Sequence, residues 1–182
     1  MKRSTLDRLI SSTGLIMAVV LLATSLGLFY THNFIHTQVH NQLAEEKVYF
    51  PSKGTVELTS LPPADQAKVS QYAGQQLLTG AQAEVFADHY IAVHLIKIGG
   101  GQTYSQLSAT SMADPTNQAL AGQVQTVFRG ETLRGLLLNA YAFDTMATVA
   151  LYAAYGAFIA GVLLLLFSVL GFHHAKHTKI RK

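Results

Sequence analysis

Two stretches dominate the alternation of apolar and polar positions along the chain. Residues 9–30 run for 22 positions, and residues 145–172 for 28, without one Asp, Glu, Lys or Arg. Each exceeds the roughly 20 residues that a helix needs to cross a hydrocarbon core of about 30 Å. In lipid, a helix is the single segment that satisfies its own backbone groups. The pattern therefore predicts two transmembrane helices.

Between the two stretches the apolar spacing is helical rather than alternating. Ile35, Val39 and Leu43 continue at four-residue steps after Tyr30, which predicts that the first helix runs several turns beyond its span, until Pro51 stops it. Residues 51–63 hold Gly54 and three of the four prolines and read as a linker or an irregular wrap. Helix is expected again over 64–78 and over 81–98, where Val85, Ile91, Leu95 and Ile98 fall on one side and Gly99, Gly100 and Gly101 follow as a C-terminal stop. A short helix is expected over 103–113. Asp114 then reads as an N-cap with Pro115 in the first turn of a helix that continues into the second span. The expected fold class is an all-α membrane protein, with two transmembrane helices extending into a small extracytoplasmic helical bundle. Its segments are a tail at 1–8, a span at 9–30, an outer domain at 31–144, a span at 145–172 and a basic tail at 173–182.

Charge orients these segments. Lys2, Arg3 and Arg8 against Asp7 give the first tail +2, and Lys176, Lys179, Arg181 and Lys182 give the last tail +4. The six Lys/Arg and nine Asp/Glu of 31–144 leave that part at −3, which accounts for the net +3 of the whole chain. Lys and Arg accumulate on cytoplasmic flanks, so both termini are expected in the cytoplasm of a two-pass plasma membrane protein and the middle outside it. The basic tail 173–182 suits anionic lipid, and no nucleic-acid partner is implied. A cleaved signal peptide is the rival reading of the first stretch, with Ala23-Thr24-Ser25 as small residues near the cut; the apolar series that runs on through Leu26, Leu28, Phe29 and Tyr30 speaks for a retained span. The sequence contains no Cys, which removes disulfides, thiolate ligands and cysteine catalysis together.

Within the spans, small residues recur at four-residue steps: Ala153, Ala157 and Gly161, with Gly156 and Ala160 beside them, and Gly14/Ala18 and Ala23/Gly27 in the first. Such steps let helix backbones approach closely where no hydrophobic effect drives association. They join the spans to each other or to another subunit, and spacing alone leaves both open. Neither span holds an ionisable residue, so the usual parts of a proton or ion path are missing.

Candidate chemistry is sparse. His32, His36 and His40 form a stripe one helical turn apart. Imidazoles at i, i+4 suit Cu or Zn; the same stripe also fits a pH-responsive element or the polar margin of a helix leaving the membrane. His89 and His94 lie roughly 140° apart on an ideal helix and do not converge. Arg129, Glu131 and Arg134 offer an i, i+3 ion pair or, through the planar guanidinium forks, a hold on a partner's carboxylate or phosphate. No HExxH helix and no nucleophile elbow occurs, so no catalytic residue and no cofactor is expected.

The strings "YAGQQ", "TGAQAEVFADHYIAVHL", "GGGQTYSQLS" and "QVQTVFRGETLRGLLLNAY", with the flanking apolar stretches, resemble a family of small actinobacterial two-span membrane proteins of unassigned function. The likeness covers about 36–172, and "FRGETLRGLLLNAY" is its most specific part. It implies a plasma membrane protein and supplies no catalytic residues; the label aromatic ring-opening dioxygenase that members often carry would need His89, His94 and Asp88 to converge on iron. The expected function is a non-enzymatic accessory or assembly subunit of a larger membrane complex, gripping other integral membrane proteins through Ala153, Ala157, Gly161, Arg129, Glu131 and Arg134. An extracytoplasmic Cu or Zn handler at His32, His36 and His40, or a lateral sensor, is the alternative.

Overall fold

A computed structural model describes the backbone of residues 3–180 and the side chains of residues 5–176. The chain is 83 % helix with no strand among the described residues. Among the described residues seven α-helices follow in order: α1 (Arg3–Glu46), α2 (Val56–Thr59), α3 (Pro63–Ser70), α4 (Gly80–Phe86), α5 (Ala92–Ile98), α6 (Tyr104–Ala113) and α7 (Gln118–Ile180), with a π-helical turn, Ala87–Ile91, joining α4 to α5. Two compact units result, one of Met1–Phe34 with Met146–Lys182 and one of Ile35–Thr145.

In the first unit, α1 and α7 each contain a segment long and apolar enough to cross a membrane. Only 17 % of each most apolar window is buried, whereas a core helix of a water-soluble protein would be mostly covered. What is buried is small or polar: Ser11, Ala18 and Ser25 of α1 and Ala147, Ala154, Gly161, Ser168 and Ala175 of α7. Leu26, Ile16, Phe167 and Leu170 point outward, each more than 60 % exposed. A hairpin that hides serine and alanine while presenting leucine and phenylalanine is inside-out for water. Two candidate membrane-spanning helices are thus consistent with a membrane location.

The second unit has a conventional apolar core in which Phe50, Leu58, Leu61, Val69, Leu77, Phe86, Ile91 and Leu95 are buried together with Val39 and Leu43 of α1 and Leu137 of α7. Four details differ from the sequence expectations. The first helix ends at Glu46, not at Pro51, because Lys47 turns into the left-handed region (φ 51°). Val48 to Phe50 then lie alongside Gln75 to Leu77, with Phe50 N–H donating to Gln75 O (2.9 Å) and Leu77 N–H to Val48 O (2.9 Å). This pairing also stops the helix predicted over 64–78, which ends at Ser70 and turns at Gly74 (φ 74°). The segment 51–63, read as a linker or irregular wrap, carries the short helix α2 and places Leu58 and Leu61 in the core at 2 % and 4 % exposure. Finally, Asp114 closes α6 rather than opening α7. Its side chain accepts from Thr116 Oγ1, and Asn117 Oδ1 accepts the Leu120 N–H as the cap of α7.

Local chemistry explains the remaining boundaries. Thr79 and Gln82 form a reciprocal capping box at the start of α4, with Gln82 Oε1 also accepting from Leu78 N–H at 2.7 Å. Thr103 and Gln106 repeat the device at α6. Gly100 and Gly101 take positive φ after α5, which suits the predicted glycine stop.

Candidate functional site

The seam of the first unit is built on a seven-residue repeat. Ser11, Ala18, Ser25 and His32 recur along α1, and Ala147, Ala154, Gly161, Ser168 and Ala175 along α7; a strict heptad keeps one face of a helix turned toward its partner. The helices run antiparallel, as the contacts show. A Cβ on Gly14 would lie 2.6 Å from Ser168 Oγ, and one on Gly171 would strike Ser11 Oγ in the mirrored arrangement. Gly161 lies against Leu22 and the Ala18 carbonyl. Ser25 Oγ donates to Ala154 O at 2.9 Å, so its buried hydroxyl is satisfied by backbone that only a small residue exposes. The seam therefore consumes Gly161. It leaves Ala157 partly covered, and Ala153, Gly156 and Ala160 of α7 and Ala23 and Gly27 of α1 exposed.

The three-histidine stripe is divided among different tasks. His32 Nδ1 lies 2.9 Å from Ala147 O; a carbonyl can only accept, so this ring donates from Nδ1. In the second unit, His36 Nδ1 donates to Asp144 Oδ1 at 2.9 Å, and His40 is exposed. Asp144 is the carboxylate that linear spacing along α1 does not supply. It sits where α4 begins, since a Cβ on Gly80 would collide with Asp144 Cβ. Among the described residues, no group of three or more His, Asp or Glu side chains is arranged to hold a metal ion.

A second polar cluster surrounds the π-helical turn. Ala92 N–H donates to Ala87 O, five residues back, so one extra residue enters the turn, a distortion that recurs at functional sites. Its effect is to send neighbouring side chains to different helices. Asp88 Oδ1 accepts from Arg134 Nη2 (2.7 Å) and Nε (3.1 Å) of α7. His89 Nδ1 donates to Asp65 Oδ1 of α3 at 2.8 Å. The Tyr90 ring packs between Phe86 and His94 in tilted contacts, with centroids 4.8 and 4.5 Å away, and His94 Nδ1 donates to Tyr90 O. Asp88, His89 and His94 thus address three separate partners. Among the described residues, no serine or threonine hydroxyl is hydrogen-bonded to His89 or His94.

The fork of Arg134 is turned inward. Glu131 lies 3.5 Å from Nη1, as i, i+3 spacing predicts, but the shorter contacts go to Asp88. The hydrogen bond to Asp88 raises the Arg134 pKa further. Arg129 and Glu131 are exposed on α7. The basic tail expected to meet anionic lipid is described as far as Lys176; His177, Lys179, Arg181 and Lys182 lie outside the described side chains.

Burial pushes the Tyr90 phenol above its ordinary value of 10.0, and the charge of Glu57 adds to this. The native state keeps a proton that the unfolded chain releases above pH 10, so stability is unaffected below that value and is lost as pH rises through it toward the native pKa. Amide hydrogen exchange of the second unit between about pH 9 and 11 should show this loss, and Tyr90→Phe should flatten it. An equally steep loss in the variant would assign it to another group.

The sequence pointed to Gly161, Arg134 and the histidines but missed Asp65, Asp144 and Gly80, whose roles depend on contacts far along the chain. The seven-residue recurrence of small residues is a further signal for the seam, beside the four-residue steps that include Gly14, Ala18 and Gly161. Comparison of the chain with protein-family models, with curated proteins and with solved structures finds no match.

Proposed function

We propose that the protein is a two-pass plasma membrane protein with both termini in the cytoplasm and its second unit outside. In this reading it is a non-enzymatic accessory or assembly subunit of a larger membrane complex. One observation carries this reading: the hairpin seam is closed by its own small residues, while a second set, Ala153, Gly156 and Ala160, stays on the outward apolar face. Small residues on a lipid-facing surface forgo dispersion contacts with acyl chains and suit the close approach of another helix. The polar pairs of the second unit support a binding rather than a catalytic role, because Asp65–His89 and Asp88–Arg134 tie α3 and α7 to the π-helical turn.

Retention in the membrane after an alkaline wash checks the location. Purification of the full chain in mild detergent should then return a second integral membrane chain in fixed ratio, and Ala153→Leu should release that chain without unfolding the hairpin. Recovery of the 19.7 kDa chain alone, at monomer mass, would contradict the subunit reading.

A further inference from the structure

At one end of the first unit the seam opens into a cleft of about 370 Å³ between the start of α1 and the end of α7. Ile10, Leu164 and Phe167 form an apolar wall, while Asp7, Ser168 and His174 bring polar atoms to it. Asp7 Oδ2 is withdrawn from solvent and is the one buried side-chain oxygen or nitrogen among the described residues with no hydrogen-bond partner. A carboxylate oxygen in that state calls for a donor, and a charged donor satisfies it best. Arg8 and Lys176 are exposed on the two helices that form the cleft, and the flanking sequence is basic on both sides.

The required ligand therefore has an N–H-bearing cation, a nearby anion and an alkyl chain. We propose that the cleft binds the headgroup of an aminophospholipid of the phosphatidylethanolamine type. The primary ammonium donates to Asp7 Oδ2, the phosphate lies toward Arg8 and Lys176, and the first methylenes of an acyl chain cover Ile10, Leu164 and Phe167. Phosphatidylglycerol brings no cation to Asp7, and the quaternary ammonium of phosphatidylcholine has no N–H to donate. This assignment rests on the membrane reading, but it fails separately from it.

The test is native mass spectrometry of the full chain in detergent, offered equal amounts of phosphatidylethanolamine, phosphatidylcholine and phosphatidylglycerol. The expected result is retention of phosphatidylethanolamine over the other two by roughly tenfold, the scale of one charge-assisted hydrogen bond. Asp7→Asn keeps the shape and should abolish the preference, and Leu164→Trp should lower all retention by filling the cleft. Equal retention of the three lipids, or a preference that survives Asp7→Asn, would overturn the assignment even for a protein that stays in the membrane after an alkaline wash.

Discussion

Replacing Gly161 by leucine is expected to part the two long helices, whereas Ala153→Leu, two turns away on the same helix, should leave them paired. A Cβ at position 161 would already lie 2.9 Å from Leu22 Cγ and 3.3 Å from the Ala18 carbonyl, so a whole leucine side chain has no room unless α1 moves away. In lipid the helices gain from close packing and lose it steeply with separation. Ala153 is exposed, and the same added volume there meets no part of the hairpin. The chain lacks cysteine, which makes pairing easy to read. Gly14→Cys with Ser168→Cys would place two Cβ atoms about 3.9 Å apart, inside the range for a disulfide. Mild oxidation should therefore cross-link the double variant nearly completely. It should fail once Gly161→Leu is added, and succeed with Ala153→Leu.

The second large effect is expected at Gly80. Alanine there would gain up to about 1 kcal/mol in helix propensity. Its Cβ, however, would overlap Asp144 Cβ, an atom fixed to the backbone of α7 that no rotamer change can remove. Overpacking of this kind costs about 1–3 kcal/mol or more, and the displacement also strains the His36–Asp144 hydrogen bond at 2.9 Å. Gly80→Ala should therefore destabilise the second unit by about 2 kcal/mol, seen as faster amide exchange across α4 with the first unit unchanged. A neutral or stabilising result would show that α4 approaches α7 less closely than described.

Much of this could be read in advance because some signals are local. Uncharged runs long enough for lipid, the glycine stop after Ile98 and the helical spacing of Val85, Ile91 and Leu95 need no knowledge of what lies opposite. The small residues of the spans were legible as a class but not by role. Period four and period seven overlap in a stretch so rich in alanine and glycine, and only the opposing helix separates the inward Ala154 and Gly161 from the outward Ala153 and Ala160. Asp114 looked like a cap because Pro115 follows it, yet Asn117 held the better position. The break at Lys47 was hidden because it depends on Val48 to Phe50 finding Gln75 to Leu77, a pairing between polar-flanked segments with no alternating pattern. The stripe of His32, His36 and His40 changed most: His32 and His36 meet a carbonyl and a carboxylate contributed from more than a hundred residues away.

In the proposed role, the outward small-residue face of α7 meets another membrane protein. A photo-activated cross-linker at position 153, illuminated in intact native membranes, tests it most directly. The expected product is one discrete adduct of this chain with a different integral membrane protein, absent when the cross-linker stands at the seam position 154. Adducts with lipid alone, or the same protein adduct from both positions, would contradict it.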